Sequence, residues 1–334
     1  YNPYWPKEQQ AILSKGSMAV NFKDGSTKNN KFSDEEIFTA QKGLDKYIDR
    51  VMLPQLKQLV TNYKPALLFS DGDWWMDYKK WRTLQFLSWA LNNAANKDEL
   101  VFNDRWGKVR GKHGGYYTTE YGSGFADGTI SWEENRGIGM SFGINRIENI
   151  DDYRTDKELI FMLVDIVSIG CNLLLNIGPN ADGTIPVIMQ QRLIEIGNWL
   201  SVCGEGIYNT KQWIKDAQWS SGMIPSFTKN DFHAGFPIYE MTINPKMGNA
   251  VKEFWFTKKE NHLYVFTPQW PKKTKLLIKD VKTTIKTEVK LMGCEKSLPY
   301  TETSKGIIID ISSINIHDLK SHYVFGFKIS NIKE

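Results

Sequence analysis

Cysteine is scarce in this 334-residue chain, and the three present, Cys171, Cys203 and Cys294, are widely spaced with no C-x-x-C pair. That excludes a disulfide-stapled scaffold and a cysteine-based zinc site, and it leaves the redox compartment open. No uninterrupted apolar stretch approaches the roughly 20 residues of a membrane-spanning helix, so the sequence predicts no integral helical membrane protein. No asparagine stands in an N-x-S/T context, which leaves no acceptor for N-glycosylation. The sequence opens at Tyr1 without a signal-peptide pattern, so any export signal is expected to lie outside it. A dominant charge of one sign is also missing: Lys and Arg total 42, Asp and Glu 38. The net +4 is spread along the chain, and its densest block, residues 272–290, alternates Lys with Val, Ile, Leu and Thr like the solvated face of strands. A nucleic-acid partner is therefore not predicted, and neither is a membrane.

What is present is ordinary globular material, 41% apolar and 24% charged, with 12 Trp and 14 Tyr in surplus. Ser33-Asp34-Glu35-Glu36 reads as a capping box that opens a long helix ending near Lys64-Pro65. Strands are predicted at 66–70, 100–103, 137–143 and 172–177, and helices at 80–95, 156–170 and 186–203. Near-continuous apolar strands with helices between them imply a parallel sheet covered on both faces. From residue 211 the texture changes to period-two strands at 253–257, 263–267, 276–278, 289–292, 306–311 and 323–329, which predicts a small antiparallel β-sandwich. The expected domains are 1–210 and 211–334. Four strands are few for a closed (β/α)8 barrel of about 250 residues, and the first long helix has no strand before it. The chain is therefore expected to start part-way through its sheet, with an upstream segment completing the barrel.

The strand at 66–70 ends in Asp71-Gly72-Asp73-Trp74, where a parallel sheet presents ligand-binding side chains. An EF-hand beginning at Asp71 fails, because its sixth and twelfth positions hold Met76 and Arg82. A metal-binding D-x-D of a sugar-nucleotide transferase, a glycosidase carboxylate and a plain turn cap all remain open. The next strand also ends in charge and indole, Asn103-Asp104-Arg105-Trp106-Gly107, and a Gly-rich loop carries His113-Gly-Gly-Tyr-Tyr-Thr-Thr-Glu120-Tyr121. Two neighbouring strands thus bring carboxylates, an arginine and aromatics to one rim, an active-site layout. Asn176-Ile-Gly-Pro-Asn-Ala-Asp-Gly183 lacks phosphate-loop spacing and reads as a turn with Thr184 capping the next helix, while Asp165 and Cys171 read as packing residues.

The stretches "VMLPQLKQLVTNYKPALLFSDGDW", "NDRWG", "HGGYYTTEY", "WEENRGIGMSFGINR", "ELIFMLVDIVSIGCNLLLNIGPNADGTIP" and "RLIEIGNWLSVCGEGIYNT" occur in this order between about residues 45 and 213. Together they resemble the retaining α-L-fucosidases of glycoside hydrolase family 29. The resemblance implies a (β/α)8-like, TIM-type catalytic barrel, here only its second half, followed by an antiparallel β-sandwich. It implies hydrolysis of terminal α-L-fucosides through a covalent glycosyl-enzyme ester, with Asp71 as nucleophile and Glu120 as general acid/base. Glu133 is the rival acid/base. Arg105, Trp106 and Phe142 match residues of the sugar pocket, and Trp74 or Phe142 would receive the C6 methyl of fucose. Phe69 stands where many relatives carry a tryptophan. No metal or cofactor is implied; the partner is a fucosylated oligosaccharide or glycoconjugate, a homo-oligomer is compatible, and the secreted pathway (periplasmic, extracellular or lysosomal) is the expected compartment. The histidines that grip the sugar in the family's upstream half have no counterpart; His113 does not match them, and His233, His262, His317 and His322 read as surface or sandwich residues. Two further readings stay in play, a fucose-binding or scaffolding relative without catalysis and, more distantly, a sugar-nucleotide glycosyltransferase.

Overall fold

The computed structural model describes residues 20–21, 26–27, 44–73, 76–107, 115–121, 132–225 and 238–333. The Ser33 capping box, Trp74, His113 and His233 lie outside these residues. Backbone contacts divide the chain into two compact units, Tyr1–Tyr117 and Thr118–Glu334.

In the first unit, β1 (Val20–Asn21) and β2 (Ser26–Thr27) form a short antiparallel pair. A helix then runs as α1 (Leu44–Tyr47), one π-helical turn (Ile48–Met52) and α2 (Leu53–Tyr63). The wide turn has a cause. Pro54 has no N–H to give to the preceding turn, and the Leu53 amide bonds back to the Ile48 carbonyl, five residues away, as the backbone widens to admit the ring. Lys64 ends the helix in left-handed conformation, its N–H donating to the Val60 carbonyl, and Pro65 follows.

Strand β3 (Leu67–Leu68), α3 (Thr83–Asn93) and β4 (Val101–Phe102) complete this unit as a parallel β-α-β element, paired Leu67 to Val101 and Leu68 to Phe102. On α3, Thr83, Phe86, Leu87 and Ala90 are buried at i, i+3, i+4 and i+7, and the last three join Ile48, Val60, Phe102 and Trp106 in one core. The opposite sides of the two strands, Leu67 and Val101, are exposed. The sheet is thus not fully covered on both faces, and among the described residues the strands do not close into a barrel.

A three-stranded sheet follows, β5 (Tyr117–Glu120), of which all but the first residue belongs to the second unit, β6 (Trp132–Gly137) and β7 (Asn172–Asn176), in that spatial order, with β6 and β7 parallel. The strand expected at 137–143 therefore ends where it was expected to begin. The reason is that Glu134, Asn135 and Arg136 are buried polar residues, so the apolar pattern points to the wrong segment. Helix α4 (Asp156–Ser168) links β6 to β7 and is opened by a Thr155/Glu158 capping box. Helix α5 (Val187–Cys203) begins after Pro186, which is its N-cap; Thr184 does not cap it, but gives its hydroxyl to Asp182.

The remaining strands are β8 (Lys211–Trp219), β9 (Lys252–Lys259), β10 (His262–Thr267), β11 (Lys275–Lys279), β12 (Glu288–Leu291), β13 (Tyr300–Thr303), β14 (Gly306–Asp310) and β15 (Phe325–Ser330). They form two antiparallel sheets, ordered β12-β15-β10-β9-β8 and β11-β14-β13. Alternation along β9 serves two cores. Phe254 and Phe256 face Leu276, Ile278, Ile307 and Ile309 of the second sheet, while Trp255 packs with Phe161 of α4 and with Trp199 and Cys203 of α5. His262 starts β10, and His317 and His322 are exposed in the same region. No described helix is long and apolar enough to cross a membrane.

Candidate active site

In the first unit Asp71 stands three residues beyond β3 and Arg105 three beyond β4, so parallel pairing carries both to the C-terminal side of the strands. Asn103 extends the pairing with its side chain. Its Oδ1 accepts from the Ser70 amide at 3.1 Å, and its Nδ2 donates to the Ser70 carbonyl at 2.8 Å. The Ser70 hydroxyl closes the latch on the Arg105 carbonyl. Two backbones that diverge after a two-residue strand are thus held together at the residues that carry charge.

Across this latch Arg105 Nη1 donates to Asp71 Oδ1 at 2.9 Å. The pair is lopsided, since the arginine side chain is 3% exposed and the aspartate 54%. Phe69 lies with its ring centre 5.1 Å from the guanidinium carbon, a cation–π contact. Gly72, at φ +90°, turns the chain straight after Asp71 in a conformation that strains any side chain. Asp71, Gly72, Arg105, Trp106 and Trp81 border a cavity of about 420 Å³. Trp106 is mostly core, stacked on Phe86 at 5.4 Å, and its buried indole N–H meets no hydrogen-bond partner among the described residues. Asp73 lines the same cavity but is 4% exposed, against 54% for the Asp71 side chain, so the two do not form an open chelating pair. Among the described residues no group of three His, Cys, Asp or Glu side chains could hold a metal ion.

In the second unit Glu120 ends strand β5; it does not sit on a free loop, because Tyr117-Thr118-Thr119 supplies the aromatic and β-branched residues that favour a strand. Tyr121 follows with φ 50°, which turns its ring onto Phe142 at 5.0 Å. Its hydroxyl accepts the Gly137 amide at 3.0 Å, and burial pushes its pKa up. Gly137 is required there, since a Cβ would fall 2.3 Å from the Ser141 carbonyl oxygen and 2.7 Å from the Tyr121 hydroxyl. Phe142 is 37% exposed, so part of its surface faces solvent. Glu133 is partly buried on β6. Glu134, its neighbour, is fully buried and paired with Arg136 at 2.8 Å, and it also takes the Thr119 hydroxyl. Sequence reasoning missed the Glu134–Arg136 pair. A strand placed at 132–137 would have set the two on one face.

The family model described as Alpha-L-fucosidase matches residues 10–205, and that of the Alpha-L-fucosidase C-terminal domain matches residues 248–330. The chain belongs to the alpha-L-fucosidase family. This is glycoside hydrolase family 29, a family of retaining glycoside hydrolases. An alpha-L-fucosidase of Dictyostelium discoideum is 34% identical over 86% of this chain and 57% of its own length. The human tissue alpha-L-fucosidase is 32% identical over 86% of the chain and 56% of its own. Among solved structures, the Thermotoga maritima alpha-fucosidase superimposes with a TM-score of 0.62 at 28% identity, covering 85% of this chain and 57% of that one, and it has also been solved in complex with fucose. The chain thus spans little more than half the length of these fucosidases.

Proposed function

We propose that this chain is the C-terminal portion of a retaining α-L-fucosidase. It comprises the second half of a (β/α)8-like catalytic barrel to about residue 210 and a β-sandwich from 211, and it acts on terminal α-L-fucosides of glycans. Asp71 is the nucleophile. What carries this reading is the Asp71–Arg105 pair on the wall of a ligand-sized cavity, in a chain of this family. Arg105 takes Oδ1 and leaves Oδ2 without a hydrogen bond among the described residues, so the same contact holds the carboxyl group in place and frees one oxygen for the anomeric carbon. Attack by that oxygen forms the glycosyl ester as a carboxyl group protonates the departing oxygen; the resulting carboxylate then draws a proton from water, which displaces Asp71 with net retention. Glu120 takes the acid/base role and Glu133 is its alternative, while Phe69, Trp74, Arg105, Trp106 and Phe142 bound the sugar. Export to a secreted compartment belongs to the same proposal.

Turnover of a chromogenic α-L-fucoside by the protein as its source makes it tests this. Asp71→Gly should lower kcat on the order of 10⁴-fold, and azide should restore part of the activity by replacing the missing oxygen nucleophile. Unchanged turnover ends the hydrolase assignment. Fucose binding by the unaltered protein without turnover would support the non-catalytic relative, which the partial span of the family makes the second reading.

A further inference from the structure

The β-rich region carries a second cleft, of about 470 Å³, that the catalytic reading does not use. Its walls are the start of β9, the connection from β10 to β11, and β11 itself. The connection reads Pro268-Gln269-Trp270-Pro271-Lys272-Lys273, so two prolines with fixed φ bracket one indole. Trp270 is held further by Phe325, edge to face at 5.1 Å, and it keeps part of its surface on the cleft. The platform is therefore rigid before any ligand arrives, which reduces the entropy lost on binding.

Charge around the indole is one-sided. Lys272, Lys273, Lys275 and Lys279 are exposed and line the cleft, and Glu253 is the one exposed carboxylate facing them among its lining residues. Lys252 in the wall is already neutralised by Asp165 and Asp216. Asp280, next to Lys279, is taken by Lys215, and the Asp310 carboxyl feels the charge of Lys275. Lys272, Lys273 and Lys279 form no ion pair among the described residues. The lysine-rich block of the sequence is thus more than a solvated strand face: its first part gathers at a concavity beside a fixed aromatic ring.

An indole face takes the apolar side of a sugar ring, and unpaired ammonium groups take sulfate esters or carboxylates. The volume, within the roughly 300–1,000 Å³ of ligand sites, has room for a disaccharide. We propose that this cleft binds an anionic oligosaccharide, with Trp270 stacking on a ring and Lys272, Lys273, Lys275 and Lys279 neutralising its charged substituents. The site is a different one from the Asp71 cavity and does not depend on catalysis.

Calorimetric titration of the full chain with a disulfated disaccharide and its unsulfated neutral parent is the test. The sulfated form should bind, more weakly by about tenfold or more when salt rises from about 0.05 to 0.5 M, and the neutral parent should bind at least about tenfold more weakly at low salt. Lys272→Glu combined with Lys273→Glu, both at exposed positions, should abolish binding with an unchanged melting temperature. Trp270→Leu should weaken it about tenfold. Equal binding of the two sugars, or full binding by the Lys272→Glu/Lys273→Glu variant, overturns the proposal. So does inorganic sulfate binding as tightly as the disaccharide, which would leave an anion site without sugar recognition. Duplex DNA or anionic vesicles that outcompete the disaccharide in a manner insensitive to Trp270→Leu would reveal a generic polyanion surface and overturn it as well. None of these measurements reads turnover, so failure here leaves the fucosidase reading untouched, and the reverse holds.

Discussion

The first unit and the second each hold a short carboxylate–cation contact, and they are built to opposite ends. In the Asp71–Arg105 pair at 2.9 Å the cation is sealed in and the carboxylate is more than half open. In the Asp165–Lys252 pair at 2.6 Å both side chains are 5% exposed or less, and Trp255 Nε1 donates to the same Asp165 oxygen at 2.7 Å. A buried carboxylate must have all its demands met by protein, whereas a half-open one keeps a lone pair for something that is not protein. The difference separates a pair that fastens α4 to β9 from a pair whose carboxylate stays open, as the proposed role of Asp71 requires.

The comparison breaks most visibly at Lys252. Lys252→Met leaves Asp165 charged, buried and short of its main partner, so urea denaturation should show a loss of about 3–5 kcal/mol. Lys252→Met combined with Asp165→Asn should recover part of that, because the amide oxygen still accepts from Trp255. A loss under about 1 kcal/mol for the single variant would mean that the pair is not a fastening. The pH dependence has a definite sign. Burial depresses the Lys252 pKa, but Asp165 and Asp216 more than offset this and raise it. Its stabilising contribution is therefore complete below the unfolded lysine value of about 10.4 and fades as pH rises through the folded one.

At the open pair the expected loss is in activity. Arg105→Lys keeps the charge but gives up the planar guanidinium that contacts Asp71 and the Phe69 ring together. On the proposed role of Asp71, kcat/KM for a fucoside should fall about 10- to 100-fold, equivalent to about 1.4–2.7 kcal/mol, with little change in melting temperature. An equal fall in stability would turn Asp71–Arg105 into a second structural pair and remove the contrast.

How much of this was legible depended on where burial followed polarity. From β9 onward apolar residues coincide with burial, alternating on β11 and β12 and continuous on β10, so six strands could be placed from the apolar pattern; the exceptions are β13, whose Thr301, Glu302 and Thr303 are exposed, and β8, whose pairing with β9 is broken by irregular register. In the β-α-β part the rule weakens. β6 hides Glu134, Asn135 and Arg136 by pairing charge with charge and amide with backbone, which the apolar pattern cannot reveal. The rim charges at Asp71 and Arg105 were readable because they interrupt apolar strands. The Asn103–Ser70 latch that aligns them was not, because it depends on a side-chain amide imitating a backbone rung. The π turn at 48–52 was foreshadowed only by Pro54 inside an otherwise helical pattern.

A third pair lies between the two extremes and sets the lower end of the scale. Glu205 meets Lys328 and takes the Tyr264 hydroxyl at 2.9 Å, with side chains 48% and 27% exposed for Glu205 and Lys328. Partial burial pushes the Glu205 pKa up, yet the hydrogen bonds from Lys328 and Tyr264 and the lysine charge outweigh it, and the net shift is downward. A carboxyl with a folded pKa below its unfolded value of about 4.3 contributes stability that is fully present above that value and is lost as pH falls through the folded one. Glu205→Gln keeps an acceptor for Tyr264 and removes only the charge. Near neutral pH it should cost less than about 1 kcal/mol, since water and salt screen a half-exposed pair. The gap between parent and variant should then close as pH drops below about 4 and shrink in high salt. A gap that persists unchanged at low pH would mean that Glu205 acts by packing and hydrogen bonding alone, and would remove charge from the account of this junction.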